Sequence, residues 1–358
     1  MNHKNAVIEL LRFVFASCII FFHVSRFDLH FANTTLFTIG PWNVNFFRLG
    51  NLSVEFFFVV SGYLMASSVY RKITSGQKSE ISIGEEACAF LFKKVRAIYP
   101  CYALAFSYIA VVMLIRDHDL GGILRSLPSL LFLQRTGISE ESFVSLAWYV
   151  SSMLIAMALI YPLLKKYYYT FTTLIAPLGG LLLIGILIKM TGNLLGTLDW
   201  FGFTYKCNLR ALAEIALGTS CFEVARRIRQ VRLGTGTRVF LSVSAFLCLP
   251  AAIAYMCSDN LNYNGQYLLM ILFMTTILFS RVGYFGSCDF LYQSRLFTYL
   301  GSLSMPMFFF QNIFRSLLSM LFKDITIVPA VLFVYLGTIL LSVIIQFLFR
   351  SPGKAKAK

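Results

Sequence analysis

The sequence predicts an all-α fold, a polytopic helical membrane protein with about ten transmembrane helices, from three observations. The 358-residue chain is 58% hydrophobic and only 13% charged. Its mean hydropathy of +0.73 is far above that of a soluble globular domain. Its apolar runs are roughly 16 to 24 residues long and lack strand-like alternation. Because a backbone in lipid must satisfy its own hydrogen bonds, such runs predict helices rather than a barrel.

The apolar runs, taken in chain order, define ten expected spans. We expect them at about 6 to 24, 51 to 69, 97 to 115, 146 to 164, 171 to 190, 207 to 225, 238 to 256, 265 to 280, 297 to 317 and 327 to 349. With an even number of spans both termini share one side, and we expect that side to be the cytoplasm. The loops on it then hold 20 of the 31 basic residues, as the positive-inside rule requires.

The remaining segments fit one membrane domain over residues 1 to 350, followed by a short basic cytoplasmic tail at 351 to 358. The stretch from Ile123 to Leu133 is apolar but too short to span, so we expect it at the outer interface or folded back toward a cavity. The first apolar run lacks a small-residue cleavage site, and we interpret it as a retained span.

Charge and cysteine patterns exclude two classes of site. The net charge of +15 comes from basic residues at the ends of apolar segments, which is a topology signal and not a nucleic-acid surface. The eight cysteines form no Cys-x-x-Cys pair and lie mostly inside apolar runs. Neither a disulfide framework nor a metal site is therefore expected.

Ionisable residues inside the first span are candidates for function, because they are costly in a bilayer. Arg12 and His23 are eleven positions apart, so they return to within about 20° of one helix face and lie roughly 16 Å apart along it. This favours a polar cavity along that face. The alternative is that Arg12 pairs with Glu9 and snorkels, while His23 is a polar group at the helix end.

The second and sixth spans also carry polar groups. Glu55 lies one turn inside the second span, as a functional carboxylate or an interfacial anchor. Ser61 and Gly62 interrupt the same span, where small residues allow close helix approach or a ligand. In the sixth span, Arg210 and Glu214 have the spacing of an intrahelical ion pair.

Four motifs, in order along the chain, resemble the acyltransferase 3 family of integral membrane O-acyltransferases. Arg12 and His23 match the arginine and histidine of its first helix. VEFFFVVSGYL resembles its second-helix motif, FLFKKVRAIYPCY the basic segment entering its third helix, and AWYVSSMLIAMALIYPLL its tryptophan-led fourth span. One departure is visible, since Gln311 stands near a place where the family often has a histidine.

The resemblance implies O-acetylation: transfer of an acyl group, usually acetyl, from cytoplasmic acyl-CoA to a hydroxyl of an extracytoplasmic glycan or lipid-linked sugar. Such cell surface polysaccharide modification would place the chain in the cell membrane, which we expect to be the bacterial cytoplasmic membrane. Acetyl-CoA is then a donor substrate, with no permanently bound cofactor and no metal. The expected partners are the bilayer and the acceptor glycan, with no nucleic acid.

The same resemblance suggests roles for individual residues. His23 is the expected general base, since imidazole titrates near neutral pH. Glu55 or Asp28 is expected to orient it. The residues expected at the donor site are Arg12, Lys93, Lys94, Arg96, Tyr99 and Ser61. For Lys93 and Lys94, a role in topology alone is the alternative.

Two other classes of protein also fit parts of the pattern. A transporter or flippase would use intramembrane charges equally well, although no internal repeat is detectable. A non-catalytic scaffold would have little use for an arginine and a histidine on one buried face.

Overall fold

The structure of the chain is a computed structural model. It describes residues 5–26, 35–40, 42–76, 81–138, 143–258, 262–280, 293–322 and 325–349. Asp28 and the expected basic tail at 351 to 358 lie outside these residues.

The described part of the chain contains eleven helices of six or more residues, three short 3₁₀ helices and two small hairpins. The helices are α1 (Ala6–Ser25), α2 (Ser53–Thr74), α3 (Ile83–Arg116), α4 (Leu120–Arg125), α5 (Trp148–Lys166), α6 (Tyr168–Thr191), α7 (Lys206–Gln230), α8 (Thr235–Met256), α9 (Tyr263–Phe279), α10 (Arg295–Leu321) and α11 (Ile327–Leu348). The strands are β1 (Thr35–Ile39) paired with β2 (Trp42–Asn45), and β3 (Trp200–Phe201) paired with β4 (Thr204–Tyr205), both antiparallel. The prediction of an all-α membrane protein is confirmed, with these hairpins as small additions.

Seven of the described helices are long and apolar enough to cross a bilayer: α1, α2, α3, α5, α6, α8 and α11. Three further expected spans correspond to α7, α9 and α10. Helix α9 has only 17 residues, whereas α7 and α10 have 25 and 27 residues and carry charged or polar side chains. Each of the ten expected spans thus falls on one helix.

Helix α3 begins fourteen residues before the expected span, at Ile83 rather than at 97. A capping box explains the early start. The Ser82 hydroxyl accepts from the Glu85 backbone N–H at 3.2 Å, and the Glu85 carboxylate accepts from the Ser82 N–H at 2.8 Å. The resulting 34-residue helix is about 51 Å long, which exceeds the hydrocarbon thickness of about 30 Å.

The segment expected at the interface or folded back, Ile123 to Leu133, is helical in two short pieces. Helix α4 ends at Arg125, and a 3₁₀ helix follows at Leu127–Leu131. The Tyr102 hydroxyl donates to the Ser129 carbonyl at 2.7 Å. This bond attaches the segment to α3, while Leu124 and Leu131 remain exposed.

Helix α7 lies at the centre of the bundle and packs closely against α2. A Cβ at Gly62 would overlap the Ile215 carbonyl oxygen, and a Cβ at Gly218 would overlap the Val59 carbonyl oxygen. Glycine at both positions therefore lets the two backbones approach, as small residues do in membrane helix pairs. This confirms the helix-packing interpretation of Gly62.

Helices α1 and α10 pack side by side in the same direction. A Cβ at Gly301 would overlap Glu9, and further along, Val24 of α1 and Leu318 of α10 belong to one buried cluster. The register places residues of α10 level with residues of α1 along most of their length. This alignment determines what surrounds each half of α1.

Two carboxylates pair with basic residues at helix ends, Glu86 between helices and Glu223 within α7. Glu86 of α3 accepts from Lys165 at 3.1 Å and lies 3.5 Å from the Lys72 amine. Glu223 of α7 pairs with Arg226 at 2.6 Å and with Arg227 at 2.8 Å. Some of the basic residues that we interpreted as a topology signal are thus paired with carboxylates close to them.

Candidate functional site

A cavity of about 420 Å³ lies between helices α1, α2, α3, α5 and α10. Most of its wall is apolar, and its polar lining residues are Asn5, Glu9, Arg12, Ser61, Lys94, Tyr149 and Ser304. Ligand sites of this kind combine an apolar wall with a few polar groups that fix orientation. The cavity is therefore the main candidate for a binding site in the described part of the chain.

The end of the cavity near the start of α1 is positively charged. The Arg12 guanidinium donates from Nη1 to Glu9 Oε2 at 3.0 Å. The Lys94 amine, on α3, is close enough to interact electrostatically with Arg12. Two cations face one carboxylate, so this end keeps a net positive charge. The Glu9 pair that the sequence offered as an alternative is present, and Arg12 lines the cavity as well.

Three of the residues expected at the donor site do not line this cavity. Lys93, Arg96 and Tyr99 are exposed on other faces of α3. Ser61 does line it, and its hydroxyl donates to the Met153 sulfur at 3.6 Å. The structure therefore brings together Arg12, Lys94 and Ser61 from the expected set.

Aromatic rings form another part of the cavity wall. The Tyr149 ring lies 6.2 Å from the Phe57 ring and 5.7 Å from the Phe308 ring, measured between centroids. The Tyr149 hydroxyl lies beside Ser61. The same three rings and Arg12 line the one cavity, and the Arg12 charge acts on Tyr149.

His23 does not line the cavity. It lies in the last turn of α1, partly buried, with its ring 5.0 Å from the Phe22 ring. Arg26 and Arg315 both act electrostatically on its imidazole. Because α1 is one uninterrupted helix from Ala6 to Ser25, the axial separation of about 16 Å from Arg12 holds. The two residues occupy different surroundings on the same helix.

Glu55 faces α7 and not the solvent. Its Oε2 lies 3.4 Å from Arg210 Nε, with the two side chains 1% and 3% exposed. Glu214 lies beside Glu55, so two carboxylates share one guanidinium. The interpretation of Glu55 as an interfacial anchor is wrong, because the side chain is buried. The ion pair of Arg210 crosses to the neighbouring helix, whereas the sequence suggested a pair within α7.

Arg210 is further held by its surroundings. Its Nη1 donates to the Leu194 carbonyl at 2.7 Å, and its guanidinium lies 5.1 Å from the Trp148 ring centroid. Of the two carboxylates expected to orient His23, Glu55 is thus occupied by Arg210, and Asp28 lies outside the described residues.

Sequence reasoning missed two residues of interest, Tyr149 and Arg315. A signal for Arg315 was present, since it stands in the apolar run QNIFRSLL within an expected span, and charges in spans are candidates by default. Tyr149 gave no signal beyond its aromatic ring. Its place at the cavity depends on how α5 packs against α2.

Neither a metal site nor a disulfide occurs in the described part of the chain. Those residues contain no cluster of three or more His, Cys, Asp or Glu side chains able to hold a metal ion. The seven cysteines among them are all free, and Cys288 lies outside.

Comparison with known protein families gives one match. The family described as an acyltransferase domain, acyltransferase 3, matches residues 5–347. The match covers nearly the whole chain, so the chain belongs to this family. No curated protein and no solved structure matches it.

Proposed function

We propose that this member of the acyltransferase 3 family is a membrane-bound O-acyltransferase. It moves an acyl group, expected to be acetyl, from cytoplasmic acyl-CoA to a hydroxyl of an extracytoplasmic glycan or lipid-linked sugar. The observation that carries the proposal is the arrangement along α1, where a cationic cavity end at Arg12 and the imidazole of His23 lie about 16 Å apart.

The cationic end suits the donor. Coenzyme A carries phosphates, and guanidinium and ammonium groups bind phosphate by charge-assisted hydrogen bonds. Arg12 and Lys94 line the cavity itself. In this proposal the exposed Lys93, Arg96 and Tyr99 extend that surface along α3 toward the cytoplasm.

The thioester then reaches along α1 from Arg12 to His23, past the rings of Phe57, Tyr149 and Phe308 that line the cavity. His23 removes the proton of the acceptor hydroxyl as its oxygen attacks the thioester carbon. The carbon–sulfur bond breaks, and the proton passes from His23 to the departing thiolate. The products are an ester and free coenzyme A.

The proposal fixes an orientation. Ten helices cross the bilayer with both termini in the cytoplasm, so that α1 begins at the donor side and ends at the acceptor side. Donor and acceptor then meet within the membrane and neither has to cross it.

A turnover assay tests the proposal. The chain, purified into nanodiscs, is given radiolabelled acetyl-CoA, and release of label from coenzyme A is followed with and without lipid-linked glycan from the host. We expect release above that of empty nanodiscs, increased by the acceptor. No release in either case would contradict the proposal. Flux of a lipid-linked sugar across sealed vesicles without any acyl donor would favour a transporter instead.

A further inference from the structure

Arg315 of α10 lies level with His23 of α1. Glu9 packs against the position of Gly301, and the two helices run in the same direction. Fourteen residues separate Glu9 from His23, and fourteen separate Gly301 from Arg315. At equal rise per residue the two side chains reach the same depth. The electrostatic action of Arg315 on the imidazole agrees with this register.

The Arg315 side chain is held in place at one nitrogen. Its Nη1 donates to Asn312 Oδ1 at 3.1 Å, and Asn312 Nδ2 donates to the Ser145 hydroxyl at 3.4 Å. Ser145 stands at the start of the 3₁₀ turn that leads into α5. The guanidinium is thus positioned by a chain of hydrogen bonds that joins α10 to α5.

Another nitrogen of Arg315 has no such partner. Its Nε is buried and donates to no acceptor among the described residues, and no ion pair with a described carboxylate holds the side chain. A buried N–H that makes no hydrogen bond is costly. The other guanidinium near His23, Arg26, is exposed and lies 5.3 Å from the Phe22 ring centroid. The two arginines therefore differ in burial, and Arg315 alone has a buried N–H that lacks an acceptor among the described residues.

We propose that Arg315 is a catalytic residue that stabilises the oxyanion formed beside His23, an inference that rests on the proposed acyl transfer. When the acceptor oxygen attacks the thioester carbon, the carbonyl π bond opens and its electron pair moves to the carbonyl oxygen. His23 takes the hydroxyl proton, and the Arg315 guanidinium donates to the negative oxygen. The pair then returns to reform the carbonyl, and coenzyme A leaves as the thiolate, which takes the proton from His23.

The chemistry favours this role over simple packing. A preorganised donor aimed at a developing oxyanion in a water-poor site commonly contributes about 10² to 10³ in rate. Arginine keeps its charge under all relevant conditions, so it cannot compete with His23 for the proton. Base and oxyanion donor would then come from two helices whose mutual register is fixed by Gly301.

The test uses inverted membrane vesicles from cells that express the full chain, supplied with radiolabelled acetyl-CoA and their own acceptor. Four chains are compared: the native one, Arg315→Gln, Arg315→Lys and the control Arg26→Gln. For each, kcat and the KM for acetyl-CoA are measured, with thermal stability as a check on folding.

We expect Arg315→Gln to lower kcat at least 100-fold with the KM for acetyl-CoA changed less than about threefold. Arg315→Lys should keep part of the native kcat, because lysine is also a cationic hydrogen-bond donor but lacks the planar set of N–H groups of a guanidinium. Arg26→Gln should stay within about fivefold of the native chain. If Arg315→Gln does not fold, the Arg315→Lys result alone decides: a kcat equal to the native value overturns the inference.

Other outcomes would also overturn it. These are a kcat for folded Arg315→Gln within threefold of native, a loss expressed only in KM, and an equal loss in Arg26→Gln. Failure of the native chain to transfer label at all would instead contradict the proposed function.

Discussion

Arg210 of α7 and Glu55 of α2 form a buried ion pair, with 3.4 Å between Arg210 Nε and Glu55 Oε2. Glu214 lies beside Glu55 and Arg210, so two carboxyl groups and one guanidinium meet between the most tightly packed helices of the bundle. The arrangement connects the second-helix motif of the sequence to the central helix.

Removing this cation should destabilise the fold. Arg210→Gln leaves the buried Glu55 carboxylate without its cation, and breaking a buried pair costs about 3–5 kcal/mol. We expect a large fall in Tm, measured by a thermal shift of detergent-purified protein. Glu55→Gln should lower Tm less than Arg210→Gln, because Arg210 can still pair with Glu214.

A matched control is Arg227→Gln, since the Arg227 side chain is 57% exposed while it pairs with Glu223. Exposed pairs contribute about 0–1 kcal/mol. Equal Tm values for Arg210→Gln and Arg227→Gln would show that the buried pair does not support the fold.

The close contact of α2 and α7 leads to a second prediction. Gly62→Ala and Gly218→Ala would each place a Cβ on a backbone carbonyl of the facing helix, so the helices must separate. We expect poor yield and a lowered Tm for both. Gly179→Ala on α6 is the control, because its Cβ would meet nothing within 4 Å. A normal Tm for Gly62→Ala would contradict the packing described.

A third prediction concerns the cationic end of the cavity. Arg12→Ala and Lys94→Gln should each raise the KM for acetyl-CoA about tenfold, because each removes a charge-assisted contact to phosphate. Lys189→Gln on α6 is a control, as that side chain is exposed and outside the cavity. An unchanged KM in Arg12→Ala would remove Arg12 from the donor site.

The aromatic residues that line the cavity predict a limit on acyl length. Acetyl passes the rings of Phe57, Tyr149 and Phe308 more readily than butyryl or octanoyl, so transfer rates should fall with chain length. Phe308→Ala should raise the butyryl rate relative to acetyl, whereas Phe347→Ala, whose ring is 75% exposed, should not. The same ratio of rates in Phe308→Ala and the native chain would contradict the limit.

The helices were predictable from the sequence because apolar runs and lipid leave the backbone few choices. The ends of the helices were less predictable. Helix α3, for example, starts at Ile83 because a local capping box extends it beyond the apolar run. The placement of Arg12 and His23 on one face follows from helical phase alone.

Contacts between helices were not predictable in the same way. Glu55 pairs with Arg210 because Gly62 and Gly218 bring α2 against α7, and no local pattern encodes that pairing. Likewise, Arg315 reaches the level of His23 only because α10 runs beside α1 in a fixed register. Both relationships depend on packing between segments far apart in the chain.

In the proposed mechanism His23 performs the proton transfer, while Arg12 binds the donor. This mechanism is tested most directly by measuring acetyl-CoA binding and acetyl transfer in His23→Ala, with His118→Ala as the control, since His118 is exposed in the loop after α3. We expect His23→Ala to bind acetyl-CoA within about threefold of native affinity and to lose at least 100-fold in transfer rate, and His118→Ala to behave as the native chain does. Transfer by His23→Ala at the native rate would contradict the mechanism.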